Sequence, residues 1–221
     1  MARFNLIGLS LYFVGLLSRG GAGLFPPSCN RIECPSYDLV SSGNGYEIRR
    51  YNSAVWISTA AIEDISLVDA TRKGFLQLFG YIQGKNSYNQ KIEMTAPVIV
   101  QLKPSDGPFC ASSFVVSFYV PKKNQPDPPP AKGLHVQKWL PTYVAVRQFG
   151  GFVKDSDVGV EAAALKASLE GSVWSKAIEK SRSKEANTTE YTVAQYNSPF
   201  EFDHRVNEIW MTFSMDEVAG F

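Results

Sequence analysis

Two stretches of the chain alternate apolar and polar residues around a short break. The first is YEIRRYNSAVWIST, residues 46–59, and the second is LHVQKWLPTYVAVR, residues 134–147. This alternation predicts two half-buried strands in each stretch, joined as hairpins at Asn52 and at Leu140. The stretches align at a constant offset of 88 residues. We interpret that offset as an internal repeat.

A helical pattern follows each pair of strands. The first helix is predicted from Leu67 to Gln83, because Ser66 can act as its N-cap and Gly84 can end it. The second is predicted to begin near Asp157 and to end at Gly171. It places apolar residues on one stripe at helical spacing, namely Val158, Ala162, Leu165 and Leu169.

Each predicted helix is followed by two more apolar runs that indicate strands. They cover residues 91–102 and 113–120 in the first half, and 190–196 and 207–213 in the second. The order ββαββ therefore occurs twice, in half-repeats at about 37–120 and 133–215, with a Pro-rich link at 121–133 and a helical insertion near 173–180. Two such units favour a single α+β domain, a distorted antiparallel β-barrel with two flanking helices.

The stretch KIEMTAPVIV, residues 91–100, contains a proline within a predicted strand. Proline cannot donate a hydrogen bond to a strand ladder, so Pro97 indicates an edge or a bulge where the strand bends. Met94 lies three residues earlier. Methionine usually fills cores, and Met94 is therefore only a weak candidate for a metal ligand.

The first predicted helix carries an arginine among apolar residues. Val68, Phe75, Leu76, Phe79 and Ile82 share its spacing with Arg72. A charge on an apolar face is costly unless it is paired. The Arg72 head group can reach water, pair with a carboxylate of the fold, or meet an anionic ligand. In the third case the ligand is flat, apolar and carboxylated, and Gly74 and Gly80 let it approach the helix backbone.

The N-terminus has the features of a secretory signal. Arg3 precedes an apolar run over residues 4–17, and small residues follow near Ala22. We expect residues 1–22 to be a cleaved signal peptide, because the run is short for a membrane span, with an uncleaved anchor as the alternative. A Pro- and Cys-containing segment, residues 23–36, then leads into the domain at 37–215. The expected location is the secretory pathway: the endoplasmic reticulum lumen, a vacuole or the extracellular space.

An oxidising compartment makes the cysteine positions informative. The chain has three cysteines, which predicts one disulfide and one remaining thiol. Cys29 with Cys34 is one possible pair and Cys34 with Cys110 is the other. Asn187 begins an Asn-Thr-Thr sequon, so we expect it to be a glycosylation site on a surface loop.

Other classes of site have weak support. With 22 basic and 21 acidic side chains, the chain has no basic excess, and we expect no nucleic-acid partner. It contains no phosphate-binding glycine loop and no nucleophile elbow. His135 and His204 form no metal-binding pair, and His204 is a weak metal candidate only. Glu93 and Glu208 are isolated acids within strand-like runs.

Four segments together resemble the SOUL/haem-binding-protein family. They are CPSYDLVSSGNGYEIRRY, KIEMTAPVIV, RQFGGF and VNEIWMTF, in that order from Cys34 to Phe213. The resemblance implies a β-barrel flanked by two helices and built from a repeat. It also implies reversible, non-catalytic binding of haem or related porphyrins, held as a ligand and not as a catalytic cofactor.

The resemblance assigns roles to residues of the first helix. It places Arg72 at a propionate-contacting position, and Phe75 and Phe79 at apolar positions that often hold methionine in relatives. It also shows two departures, because Gly80 and Glu201 stand where some relatives have basic residues. Arg205 is close to Glu201 in sequence and could replace one lost propionate partner. The predicted ligand-binding residues are Val68, Arg72, Phe75, Leu76, Phe79 and Arg205.

Three functions compete at this point. The first is a tetrapyrrole carrier or buffer that acts as a monomer without a stable membrane span. The second is a small-molecule hydrolase or tetrapyrrole-modifying enzyme, in which Glu208 or Glu93 would act as a base. The third is a protein-interaction module that docks through the aromatic helix face.

Overall fold

Strands and helices follow one another in the order that the repeat predicts. The computed structural model describes residues 25–103, 111–184 and 189–215. Within these residues the ten strands are β1 (Asp38–Gly43), β2 (Tyr46–Tyr51), β3 (Ala54–Thr59), β4 (Ile62–Asp64), β5 (Val98–Lys103), β6 (Ser112–Tyr119), β7 (Leu134–Trp139), β8 (Thr142–Phe149), β9 (Tyr191–Gln195) and β10 (Asn207–Phe213). The α-helices of the same residues are α1 (Leu67–Ile82), α2 (Asp155–Leu169) and α3 (Val173–Lys184).

The boundaries of these elements preserve the repeat. The offset of 88 residues superimposes β2 on β7 and the start of α1 on the start of α2. The insertion α3 then breaks the offset. The ten strands form one curled antiparallel sheet. Their order is β1-β2-β8-β10-β9-β5-β6-β3-β7, and β4 pairs with β6. The predicted α+β barrel-like fold is confirmed.

The predicted hairpins are wrong in their pairing. β2 pairs with β8, where Ile48 faces Ala145, and β3 pairs with β7, where Ile57 faces Val136. The break at residues 52–53 is thus a corner where the chain moves from one part of the sheet to another. Residues on both sides of this corner pack into the same aromatic cluster, so the chain bends around that cluster instead of folding back on itself. Each half of the repeat therefore pairs the two strands of its alternating stretch with strands of the other half.

The strand predicted at residues 91–102 begins later than expected. β5 starts at Val98, directly after Pro97 and the cis Ala96–Pro97 peptide. The preceding backbone and side chains bond elsewhere: Ile92 N–H donates to the Ile82 carbonyl, and the Thr95 hydroxyl donates to the Tyr119 carbonyl. Because Pro97 has no N–H for the ladder, the paired strand can begin only after it.

Two cores lie on opposite sides of the sheet. The helix-side core contains buried residues of all three helices, including the stripe of α2 that the sequence predicts. The aromatic core on the other side contains no helix residue among those described. Its large side chains are Tyr51, Trp56, Tyr119, Tyr196 and Trp210, and Trp139 packs against it at its edge.

The N-terminal segment closes the aromatic core. Cys29 and Cys34 form a disulfide, which confirms the first of the two predicted pairings, and both pack against this core together with Ile32 and Tyr37. Cys110, Asn187 and the predicted signal at 1–22 lie outside the described residues. None of the helices within the described ranges combines the length and hydropathy needed to cross a membrane.

Candidate functional site

Helix α1 has two apolar faces. Its buried face consists of Leu67, Ala70, Gly74, Leu78, Tyr81 and Ile82. Its outer face presents Val68, Leu76 and Phe79 to solvent, and Leu76 is 64% exposed. The predicted single stripe is therefore wrong about Ile82, which belongs to the buried face. It is also wrong about Gly74, which packs against Val116 of the sheet and offers no approach to a ligand.

Arg72 lies on the outer face and not within the core. Its side chain is 74% exposed and its Nη2 is 3.4 Å from a carboxylate oxygen of Asp69, one turn away. Its neighbours Phe75 and Phe79 stack with their ring centroids 5.7 Å apart, and Phe75 also meets the buried ring of Phe118. The outer face thus combines a cation in contact with water and an aromatic pair anchored in the core.

Lys85 adds a second cation near this face. Its backbone N–H donates to the carbonyl of Gly80 at 3.0 Å, and its side chain lies over the space beside Gly80. A Cβ added at Gly80 would come within 3.3 Å of the Lys85 Cδ. The resemblance implies a basic residue in some relatives where this chain has Gly80. In this chain the side chain of Lys85, five residues later, covers that position. Helical spacing alone does not predict this placement of Lys85.

A second exposed apolar group lies on the loop between β9 and β10, which we call the aromatic loop (residues 197–206). Phe200 and Phe202 are 83% and 73% exposed. Phe202 meets Phe152 of the β8–α2 connection, with ring centroids 5.8 Å apart. The connection leads into Asp155, the first residue of α2, which accepts hydrogen bonds from the Ser66 hydroxyl at 2.7 Å and from Val68 N–H at 3.1 Å at the start of α1. Phe152 and Phe202 were not predicted.

Arg205 stabilises the aromatic loop. Its Nη1 donates to the carbonyls of Ser198 at 2.7 Å and Glu201 at 2.6 Å, and its guanidinium lies 4.2 Å from the centre of the Phe152 ring. The prediction that Arg205 replaces a lost propionate partner stays a prediction. To contact a propionate, Arg205 would have to use N–H groups other than those at Nη1, or give up some of these hydrogen bonds.

Glu201 connects the aromatic loop to the N-terminal segment. It pairs with Arg31, and its carboxylate also accepts from the Asn197 amide and Ser198 N–H, both at 3.1 Å. The Arg31 guanidinium holds the pKa of the Glu201 carboxyl below its usual value of 4.5. Glu201, which stands where the resemblance implies a basic residue in a relative, thus has Arg31 as its partner in this chain.

We expect the protein to become less stable in acid, because the stabilisation from the Arg31–Glu201 ion pair is lost there. Because the Glu201 pKa is lowered in the folded state, its stabilisation is complete above the usual pKa of 4.5 and is lost as pH falls through the lower folded value. Thermal unfolding of wild type and Glu201→Gln over this range tests it, since the variant should lose less stability than wild type on acidification. Glu93→Gln, at an exposed pair with Lys123, is the control and should follow the wild-type profile.

The aromatic core contains a buried ionic network. Glu208 is fully buried and accepts hydrogen bonds from Arg49 Nη1 at 3.0 Å and Nη2 at 2.9 Å. It also accepts from the Tyr196 hydroxyl, the Trp210 indole and the Gln148 amide. Burial is the largest single effect on the pKa of Arg49 and lowers it, but the interactions with Glu208, Tyr51 and Tyr196 together outweigh burial and raise the pKa.

This network removes Glu208 as an accessible base. Its carboxylate is enclosed by donors, whereas a general base needs hydrogen-bond contact with its substrate. Glu93, the other predicted base, is exposed and pairs with Lys123 at 3.1 Å. The pKa of the neighbouring Tyr196 hydroxyl is raised, first by the burial of Tyr196 itself and then by the Glu208 carboxylate.

The weak metal candidates lie apart in the fold. His204 is exposed in the aromatic loop with a positive φ of 51°, and His135 is exposed on β7. Met94 packs against the helix-side core. Within residues 25–103, 111–184 and 189–215, no group of three or more His, Cys, Asp or Glu side chains could hold a metal ion.

A family model described as SOUL heme-binding protein matches residues 32–212. The chain belongs to the SOUL haem-binding protein family. It is 34% identical over 188 residues to heme-binding protein 2 of Mus musculus, a match that covers 81% of this chain and 85% of the relative. Heme-binding protein 1 of Xenopus laevis is 27% identical over 178 residues, or 78% and 87% of the two chains.

The SOUL fold of this chain also resembles solved structures of other proteins. A chain from a cryo-EM structure of an EcmrR–DNA complex matches with a TM-score of 0.53 at 8% sequence identity. The match covers 76% of this chain and 57% of the other. At this identity the likeness concerns the fold alone.

Proposed function

We propose that this chain binds haem or a related porphyrin reversibly, as a carrier or buffer, on the outer face of α1. The observation that carries the proposal is an exposed apolar face, with Arg72 among its residues, on a member of the SOUL family. Exposed apolar patches of this kind are typical of binding surfaces. A porphyrin offers a large flat apolar surface and carboxylates that suit an arginine fork.

The residues at this face fit such a ligand. Leu76 and Phe79 present apolar area that a macrocycle would remove from water, and Phe75 anchors that surface in the core. Arg72 and Lys85 supply positive charge along the helix. Phe152 and Phe202 form a second exposed apolar pair, and Phe152 precedes by three residues the Asp155 that binds the N-terminal end of α1. Together they support binding by apolar burial and acid–cation pairing.

We expect Phe79→Ala to weaken hemin binding about tenfold. Removing a large apolar side chain from a binding surface costs on the order of 1–2 kcal/mol, and about 1.4 kcal/mol is tenfold in Kd. Hemin titration of the purified protein, followed at the Soret band, measures the change. Arg72→Ala should also weaken binding, whereas Val160→Ala, at an exposed apolar residue of α2, is the control that should not.

The same titration separates porphyrin binding from iron ligation. Metal-free protoporphyrin should bind with an affinity similar to that of hemin, because the proposed contacts involve the ring and its acids. A strong preference for hemin that disappears in His204→Ala or Met94→Leu would instead assign an iron ligand. Absence of saturable binding of either molecule at micromolar concentration would refute the proposed function. If a partner protein then co-purifies with this chain and is lost when the outer face of α1 is altered, the chain acts as a protein-interaction module.

A further inference from the structure

A disulfide-closed segment is joined to the aromatic loop by an ion pair. We call this segment, residues 27–37, the clasp. It contains the Cys29–Cys34 disulfide, and its Glu33 forms a parallel bridge with Thr95. The Glu33 carbonyl accepts from Ala96 N–H at 3.0 Å, and its carboxylate accepts from Lys122 N–H at 2.9 Å. The clasp is therefore fixed to the sheet at a point next to the disulfide.

Arg31, between the two cysteines in sequence, reaches out from the clasp to Glu201. Glu201 in turn holds the aromatic loop closed through Asn197 and Ser198, and its carbonyl accepts from Arg205. Arg205 lies over Phe152, the partner of Phe202. These contacts lead from the disulfide segment to Phe152 and Phe202. Asp155, three residues after Phe152, then binds the N-terminal end of α1, which carries the proposed porphyrin surface.

We propose that the Cys29–Cys34 disulfide controls porphyrin affinity by fixing Arg31 against the aromatic loop. The inference rests on the proposed function and adds a redox control to it. With the disulfide closed, Arg31 is held where it can pair with Glu201. With the disulfide open, the clasp regains conformational freedom, so the same ion pair costs more entropy and the loop is less ordered.

The redox step is a thiol–disulfide exchange with a small dithiol reductant. A thiolate of the reductant attacks one sulfur of the disulfide, forms a mixed disulfide with that cysteine and releases the other cysteine as a thiolate. The second thiol of the reductant then attacks the reductant sulfur of the mixed disulfide and releases the first cysteine. The dithiol loses two electrons and becomes a disulfide, while Cys29 and Cys34 gain those electrons and become thiols. Both cysteines are half-buried and not enclosed, so a small reductant can reach them.

Protoporphyrin fluorescence provides the test, because the metal-free ring has no iron that could react with the reductant. We expect the Kd of the oxidised protein to rise about fivefold or more on reduction, the range typical of coupled sites. Cys29→Ser/Cys34→Ser should bind like the reduced protein. Arg31→Ala should show the weaker binding while still oxidised, and reduction should change it little further.

Coupling between two sites is reciprocal, which gives a second readout. Bound protoporphyrin should shift the reduction equilibrium of the disulfide toward the oxidised form by the same factor. Equal affinities of oxidised and reduced wild type would overturn the redox control and leave the proposed function intact. No binding by the oxidised protein would refute the proposed function itself. Because Arg31 is exposed, its alanine variant should fold even if the cysteine variant does not.

Discussion

Arg49→Met is expected to lower the free energy of unfolding by about 3–5 kcal/mol, the usual cost of removing one partner of a buried ion pair. The substitution leaves Glu208 fully buried without its bidentate cation. It also removes the bond from Arg49 Nε to Glu47 at 2.8 Å and the contact with the Tyr37 ring at 4.3 Å. Urea unfolding followed by tryptophan fluorescence measures the loss.

Arg147→Met is the matched control. Arg147 donates to Glu161 at 2.7 Å, a distance similar to those in the buried network, but both side chains are about one quarter exposed. Water screens this pair and solvates Glu161 after the substitution, so we expect a loss of at most about 1 kcal/mol. Similar losses in the two variants would show that the Arg49 network is not as isolated from water as its burial indicates.

A double substitution tests whether the cost comes from the uncompensated charge. Arg49→Met combined with Glu208→Leu removes both members of this ion pair and puts apolar groups in their place, while Glu47 stays. Buried ion pairs replaced in this way are often neutral or stabilising, so the double variant should recover much of the stability lost in Arg49→Met. Failure to recover would mean that the hydrogen bonds of Tyr196 and Trp210 to the carboxylate matter more than its charge.

The elements of this fold could be predicted from local sequence, but their pairing could not. Caps, alternation and helical spacing are short-range signals, and they placed α1, α2 and the corner strands within a few residues. Which strand pairs with which depends on contacts far apart in sequence. The exchange that joins β2 to β8 and β3 to β7 follows from the shared aromatic core around Tyr51 and Trp56, which alternation within a single stretch does not reveal.

For the same reason, the sequence alone does not predict the buried ionic network. In VNEIWMTF, Glu208 follows the polar Asn207 and precedes the apolar Ile209, a pattern that fits a solvated strand face as well as a buried ion pair. Its main partner, Arg49, is 159 residues away. The run EIRR, in which Arg49 lies, has no feature that distinguishes a buried arginine from an exposed one. Only the three-dimensional fold brings these two residues together.

Helix α1 has two apolar faces, whereas its sequence pattern predicts one. The buried face is weak in that pattern because it contains small residues. Ala70 and Gly74 contribute little to an apolar pattern, although they let the helix approach the sheet closely. The larger residues Leu76 and Phe79 dominate the apolar pattern, although both are exposed in the described structure.

Leu78→Ala and Leu76→Ala should therefore differ strongly in their effects on stability and on hemin binding, although only one residue lies between the two positions. Leu78 is fully buried in the helix-side core, so its truncation should cost about 2–5 kcal/mol of unfolding free energy through lost burial and a cavity. Leu76 is exposed, and its truncation should change stability by no more than about 0.5 kcal/mol.

Hemin titration of the two variants completes the comparison. Leu76→Ala should bind hemin more weakly, because the proposed surface loses apolar area, whereas Leu78→Ala should keep its affinity at temperatures where it remains folded. If Leu76→Ala binds hemin like wild type, the ligand does not lie on the outer face of α1. If instead Leu76→Ala proves strongly destabilising, that face is covered by protein, and its exposure cannot be the basis of binding.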